Sequence, residues 1–227
     1  MQEPQYSATA LETQGGSLQR IAIATPWVDA GEDIAELARR HAKPHLKPGD
    51  TLFVSEKVVV ISLGRAIPAD ELRPGPLARL LSRSVRATPI AGLNVPEKMQ
   101  LVVRNAGGPR VLIAAAAAAI TRPLGVRGAF YRIVGEWCQN IDGMAPPYDH
   151  MVIPPLSEGE ATAECERIRG AVGAPTAIVD INDRGGTIRA LSPGMDRDWI
   201  LAALSDNPLG QGSRGTPLGL LRPSAKL

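Results

Sequence analysis

An α+β fold, with mixed or antiparallel sheets and packed helices, is what this sequence predicts, and three observations predict it. Apolar runs of strand length, such as "IAIA" (21–24) and "TAIVDIN" (176–182), are separated by amphipathic stretches of helix length. The two kinds of segment alternate without a regular strand–helix–strand period, which speaks against a doubly wound parallel sheet. The 23 glycines and 20 prolines among 227 residues supply enough turns for many short elements.

Taken in order, residues 1–19 are polar, carry no apolar signal core, and read as a flexible leader. A first strand at 21–24 ends at Thr25-Pro26. "DAGEDIAELARRHAKPHL" predicts a helix with Asp29 or Gly31 near its cap, Ile34, Leu37 and Ala38 on one face, and Arg39, Arg40 and His41 in its last turn. "KPGD" (47–50) is a turn. "TLFVSEKVVVIS" (51–62) reads as one strand carrying Ser55, Glu56 and Lys57 in its middle. A helix with Leu77, Leu80, Leu81 and Val85 follows.

"MQLVVRN" (99–105) reads as a strand. "RVLIAAAAAAI" (110–120) has the alanines of a helix, but Gly-Gly-Pro before it and Thr-Arg-Pro after it suggest a strand. "GAFYRIV" (128–134) is read as a further strand, "DGMAPPYDH" (142–150) as a loop and "MVIP" (151–154) as a strand. "SEGEATAECERIRGAVG" (157–173) is a helix: Ser157 and Glu160 form a capping box, Ile168 and Val172 give the stripe, and Gly173 ends it. "TAIVDIN" is a strand, "DRDWILAALSDN" a helix capped near Asp196, and "TPLGLLRP" the last strand. At 227 residues the chain could be one large domain or two small ones.

Composition excludes several classes. A net charge of +2 with both signs dispersed, and 4% aromatic residues, leave no footprint for nucleic acid or an anionic membrane. The longest apolar run, 111–120, is too short to span a bilayer. Cys138 and Cys165 form no CxxC pair, which points to reduced thiols in a cytoplasmic protein. His41, His45 and His150 are isolated, and no P-loop, HExxH or GxSxG occurs.

"IVDINDRGGTI" (178–188) sends an apolar run directly into Asp180, Asn182 and Asp183. One reading is an Asx-rich hairpin turn. The other is a site for something cationic or phosphorylated, with Asp142 as a further donor, since hard oxygen ligands suit Mg²⁺ or Mn²⁺ carrying a nucleotide. Lys57 is a second flag, because a charge within an apolar strand must be paired or must face a site, unless the strand is an edge strand facing water, which explains it equally well. "GQGSRG" (210–215) spells GxGxxG but lacks the strand before and the helix after that a dinucleotide fold needs. Its Gly210 to Gly212 backbone can still line a phosphate.

Four segments in register resemble one family. "GDTLFVSEKVVVISLGR", "LVVRNAGGPRVLIAAAAAAITRP", "LSEGEATAECERIRGAVGAPTAIVDINDRGG" and "GQGSRGTPLGLLRP" are similar, in order and approximate spacing over about 20–222, to segments of the γ-glutamyl ligases of the deazaflavin coenzyme F-420. The resemblance implies an intertwined two-part α+β domain, usually a homodimer. It implies a small-molecule substrate, GTP as co-substrate and two divalent cations, with L-glutamate coupled to a carboxylate through an acyl phosphate.

Carried over by position, Asp183 is a metal ligand and catalytic residue. Lys57 is a catalytic and nucleotide-binding residue, and Gly210, Gln211 and Gly212 bind the nucleotide. Asp142, Asp180 and Asn182 complete the expected cation ligands. A second family aspartate falls on Thr121, and Asp142 is its expected replacement. The family's long passage after the Asp183 position is shortened to "GGTIRALSPGMDRD". Beside the ligase, the same residues leave open a non-catalytic dimeric homologue that binds a nucleotide or similar ligand.

Overall fold

The computed structural model describes residues 6–13, 16–85, 92–144, 146, 148–182, 185–208, 210 and 215–223. In chain order these form β1 (Tyr6–Thr13), β2 (Gly16–Ile23), α1 (Ile34–His41), β3 (Thr51–Ser55), α2 (Glu56–Ser62), β4 (Ile67–Pro68), α3 (Pro76–Ser84), α4 (Pro96–Ala106), α5 (Gly108–Thr121) and α6 (Ala129–Val134). There follow β5 (Asp142–Gly143), β6 (Met151–Ile153), α7 (Glu158–Val172), β7 (Thr176–Asn182), β8 (Gly185–Leu191), α8 (Arg197–Leu204) and β9 (Leu218–Pro223). Helices and strands share the chain, and the sheets are mixed, so the α+β class holds.

The chain divides into two compact units. The first joins Met1–Gly64 to Leu156–Leu227, and the second is the continuous segment Arg65–Pro155. Among the described residues the first unit carries a six-stranded sheet in the order β1-β2-β9-β3-β7-β8. Only β3 and β7 run parallel, Leu52 to Ser55 matching Thr176 to Val179; the other pairs are antiparallel. On one face Phe53, Ala177, Val179 and Ile188 meet Ile200, Ala203 and Leu204 of α8. Gly219 of β9 must be glycine there, because a β-carbon would collide with the Phe53 ring.

Helix ends follow their local chemistry. Ser157 and Glu160 make the predicted capping box of α7, and Gly173 closes it in the left-handed region at φ +77°. Asp196 caps α8 as expected. The cap of α1 is Asp33, not Asp29 or Gly31: its carboxylate accepts from the N–H groups of Ala35 and Glu36 at 2.8 and 3.2 Å. Asp33 also pairs with Arg167 of α7, tying the two packed helices together.

The second unit holds α3 to α6 and a small antiparallel sheet, β4-β6-β5. Its core gathers Leu72, Ala78, Met99, Val102, Val111, Ala114, Val134 and Val152. Three strands expected here are helices. In "MQLVVRN" the buried positions Lys98, Leu101 and Val102 fall at helical spacing behind Pro96 at the first turn, where proline suits a helix. In α5 the propensity of the alanine run wins over its glycine and proline flanks. In α6, Gly128 and Gly135, both at positive φ, bound a short turn of helix that packs Val134 inward.

Two further expectations change in the first unit. Tyr6–Thr13 and Gly16–Ile23 pair as an antiparallel hairpin, where a flexible leader over 1–19 was expected. "TLFVSEKVVVIS" is not one strand: β3 stops at Ser55 and α2 begins at Glu56. Val58 to Ile61 are buried around the whole helix, and that burial overrides their preference for extended backbone. Lys57 therefore stands in the first turn of a helix, not in mid-strand.

Candidate functional site

The parallel pair β3/β7 has a carboxyl end, and in open sheets of this kind ligands bind beyond the carboxyl ends of parallel strands. Ser55 faces Val179 in register, so Glu56, the first residue of α2, and Asp180, which continues β7 opposite Thr187, lie side by side at that end. Lys57 follows Glu56 directly. The glycine-rich segment arrives at the same edge, since Ser55 N–H donates to Pro217 carbonyl at 2.9 Å and Thr25 N–H to Gly215 carbonyl at 2.8 Å. Antiparallel pairing of Val54 with Leu218 then starts β9.

Glu56 is 5% exposed and fully engaged. Its Oε1 accepts from Leu156 N–H and its Oε2 from Arg189 Nε, both at 2.8 Å. Burial pushes its carboxyl above the usual glutamate range, partly offset by Arg189, while Asp180 reinforces the rise. Asp180 keeps 31% of its side chain exposed, with Oδ2 3.5 Å from Arg189 Nη2. This edge thus combines a buried ion pair, an accessible carboxylate and a lysine at a helix start.

The stretch 178–188 is a hairpin, as the turn reading required: β7 and β8 pair to their ends, Asn182 opposite Gly185. The pairing fits both readings, because Asp180 and the backbone of Asn182 lie toward the same edge. Gly186 sits where a β-carbon would run into the Ile181 side chain and lie 2.7 Å from Asp180 carbonyl, so the ladder closes only around glycine. Asp183, Gln211 and Gly212 lie outside the described residues, as does the Asn182 side chain. Gly210 is left-handed at φ +77° and its N–H donates to Asn207 carbonyl at 2.9 Å.

The structure therefore brings Lys57, Asp180 and the backbone of Asn182 to one edge of the first unit's sheet. Asp142 lies in the second unit, in β5, where its Oδ1 accepts from Gly143 N–H at 2.7 Å. Thr121 also lies there, and its hydroxyl donates to Ala117 carbonyl at 2.8 Å within its own helix. Among the described residues no three His, Cys, Asp or Glu side chains gather in a way that could hold a metal ion. The sequence reading missed Arg189; its only signal was a charge inside a half-buried strand, "TIRAL".

Hard oxygen donors at this edge fit a divalent cation by type, and a guanidinium and a lysine fit phosphate. A model of the family described as F420-0:Gamma-glutamyl ligase matches residues 22–190, a span that includes Glu56, Lys57, Asp180 and Arg189. The coenzyme F420:L-glutamate ligase of Methanopyrus kandleri is 25% identical, over 86% of this chain and 82% of its own length. No helix among the described residues is long and apolar enough to cross a membrane.

Proposed function

The chain belongs to the F420-0:Gamma-glutamyl ligase family, and from that premise we propose that it is a cytoplasmic, homodimeric amide ligase that uses GTP and Mg²⁺ or Mn²⁺. It joins a glutamate-like amino acid to a carboxylate acceptor. The observation that carries this reading is the convergence of Lys57, Asp180, the backbone of Asn182 and the Gly215–Pro217 segment on the carboxyl edge of β3/β7. The Methanopyrus kandleri relative is named for L-glutamate and coenzyme F420. That name motivates the choice of substrates to test.

In this reading an oxygen of the acceptor carboxylate attacks the γ-phosphorus, and the bond to the departing GDP breaks. The amine nitrogen then attacks the carbonyl carbon of the acyl phosphate, phosphate leaves, and the nitrogen loses a proton to give the amide. Asp183, Asp180 and Asn182 would hold the cation, which supplies charge neutralisation at the phosphoryl oxygens. Lys57 places a positive charge beside the transferred group, and the N–H groups of Gln211 and Gly212, just after the Gly210 turn, would line the phosphates.

Thermal unfolding against GTP, ATP and GDP, each with and without Mn²⁺ or Mg²⁺, tests the binding half. A ligand that binds only the native state raises the midpoint by mass action. The expected result is a rise that needs GTP and metal together. Glutamate-dependent phosphate release tests the chemical half, and Asp183→Asn should abolish it while the unfolding midpoint stays near that of the parent. Unchanged release in that variant would remove Asp183 from the site.

A second reading, a ligand-binding homologue without turnover, is favoured by one observation: the family aspartate position is Thr121, whose hydroxyl is committed to Ala117. A nucleotide-dependent rise in midpoint with no phosphate release for any acceptor would select it.

A further inference from the structure

Strand β8 contains a β-bulge at Arg189. Ile178 pairs with Ala190 and Val179 with Ile188, which leaves Arg189 as the extra residue. Ile188 and Leu191, three positions apart, both pack with α8. Plain alternation would send them to opposite faces, so the bulge is what turns Arg189 out of the ladder. Its Nε then donates to Glu56 Oε2 at 2.8 Å, and Glu56 is itself held by Leu156 N–H.

The other end of the guanidinium is unfinished. Nη2 is inaccessible to solvent and makes no hydrogen bond among the described residues, standing 3.5 Å from Asp180 Oδ2. A buried donor without an acceptor is costly and uncommon. A ligand oxygen entering beside the part-exposed Asp180 carboxylate would complete it, and the planar fork of arginine suits carboxylate and phosphate.

We infer that Arg189 is the oxyanion-binding side chain of this edge, donating from Nη2 to a phosphate or carboxylate oxygen, with Glu56 as the positioning residue that fixes its plane. This rests on the ligase reading and adds to it a residue that neither the motifs nor the match to relatives singles out. Because Glu56 has already set the orientation, little freedom is lost when the oxyanion docks. Two carboxylates flank one guanidinium, so the favoured oxyanion arrives with its own dication. That matches a metal-bound nucleotide phosphate; the amino-acid carboxylate is the other source of the same chemistry.

Isothermal titration of the full chain, of Arg189→Lys and of Arg189→Met separates the sources, with Mn²⁺–GTP and L-glutamate as separate probes. Glu56→Gln/Arg189→Met is included because it removes the buried carboxylate that the single variant would strand. The expected result is a loss of about tenfold or more for one probe in Arg189→Met and in the double variant. Lysine should not restore it, since it lacks the planar fork. The weakened probe names the oxyanion.

Weakening of both probes supports the assignment if added guanidinium restores affinity to Arg189→Met, and overturns it if not. Affinities for both within about twofold of the parent overturn it. A parent protein that binds neither probe overturns the ligase reading itself, an outcome distinct from losses confined to the variants.

Discussion

At the scale of single residues, Glu56 does the most with the least visibility. It ends a strand, begins a helix, anchors Leu156 and orients Arg189 while nearly excluded from water. Its carboxyl is raised by burial above the ordinary 4.5. The folded protein therefore keeps this proton where the unfolded chain has released it, so the folded state binds more protons in that window. Stability from this group is greatest at low pH and falls as pH rises from 4.5 through the raised value. Urea midpoints of the parent and of Glu56→Gln across that range should differ in slope, the variant lacking the decline. Parallel profiles would mean that Glu56 does not titrate as its burial requires. In the sequence Glu56 showed only as a polar residue beside Lys57, because a strand stopping at Ser55 cannot be told from one running on through "VVVIS". Arg189 was harder still: a bulge moves one side chain without altering the composition of its strand.

At the scale of elements, legibility tracked how much of each signal was local. The capping box of α7, the Asp196 cap of α8 and the strands "TAIVDIN" and "LGLLRP" rest on neighbours in sequence and were readable. The helices α4, α5 and α6 were not, because short apolar runs fit either period and the burial that decides them comes from partners far along the chain. The hairpin β1/β2 was hidden for a related reason: a polar leader gains its strand character by pairing with β9, some 200 positions away by sequence. Local signals also carry predictable energies. Ser157→Ala should cost ~1 kcal/mol, as the loss of a cap oxygen does elsewhere. Asp33→Ala should cost more than a cap alone, since Arg167 keeps Glu164 but loses its link to α1. Denaturant unfolding of the two variants gives the order directly, and a cost for Ser157→Ala as large as that for Asp33→Ala would contradict it.

At the scale of the whole molecule, connectivity explains how the first unit brings five distant places in the chain to one edge. Its sheet is closed by strands from both ends of the chain, with Arg65–Pro155 inserted between them. The inserted segment leaves after α2 and returns at Leu156, the residue that Glu56 holds. The carboxyl edge of β3/β7 is thus assembled from residues near 25, 55, 156, 180 and 215, and no short motif could announce it. Three of the four segments that resembled the ligases supply pieces of this edge; the second, 101–123, lies in the other unit. If this edge takes nucleotide and metal, ordering falls on those pieces together. Hydrogen exchange with and without Mn²⁺–GTP should show added protection in peptides covering Val54–Val58, Val179–Ile181 and Thr216–Leu218. Peptides at the opposite edge, Gly16–Leu18 and Leu191–Ser192, should be unchanged. Protection confined to that opposite edge would place the nucleotide elsewhere and dismantle the shared site.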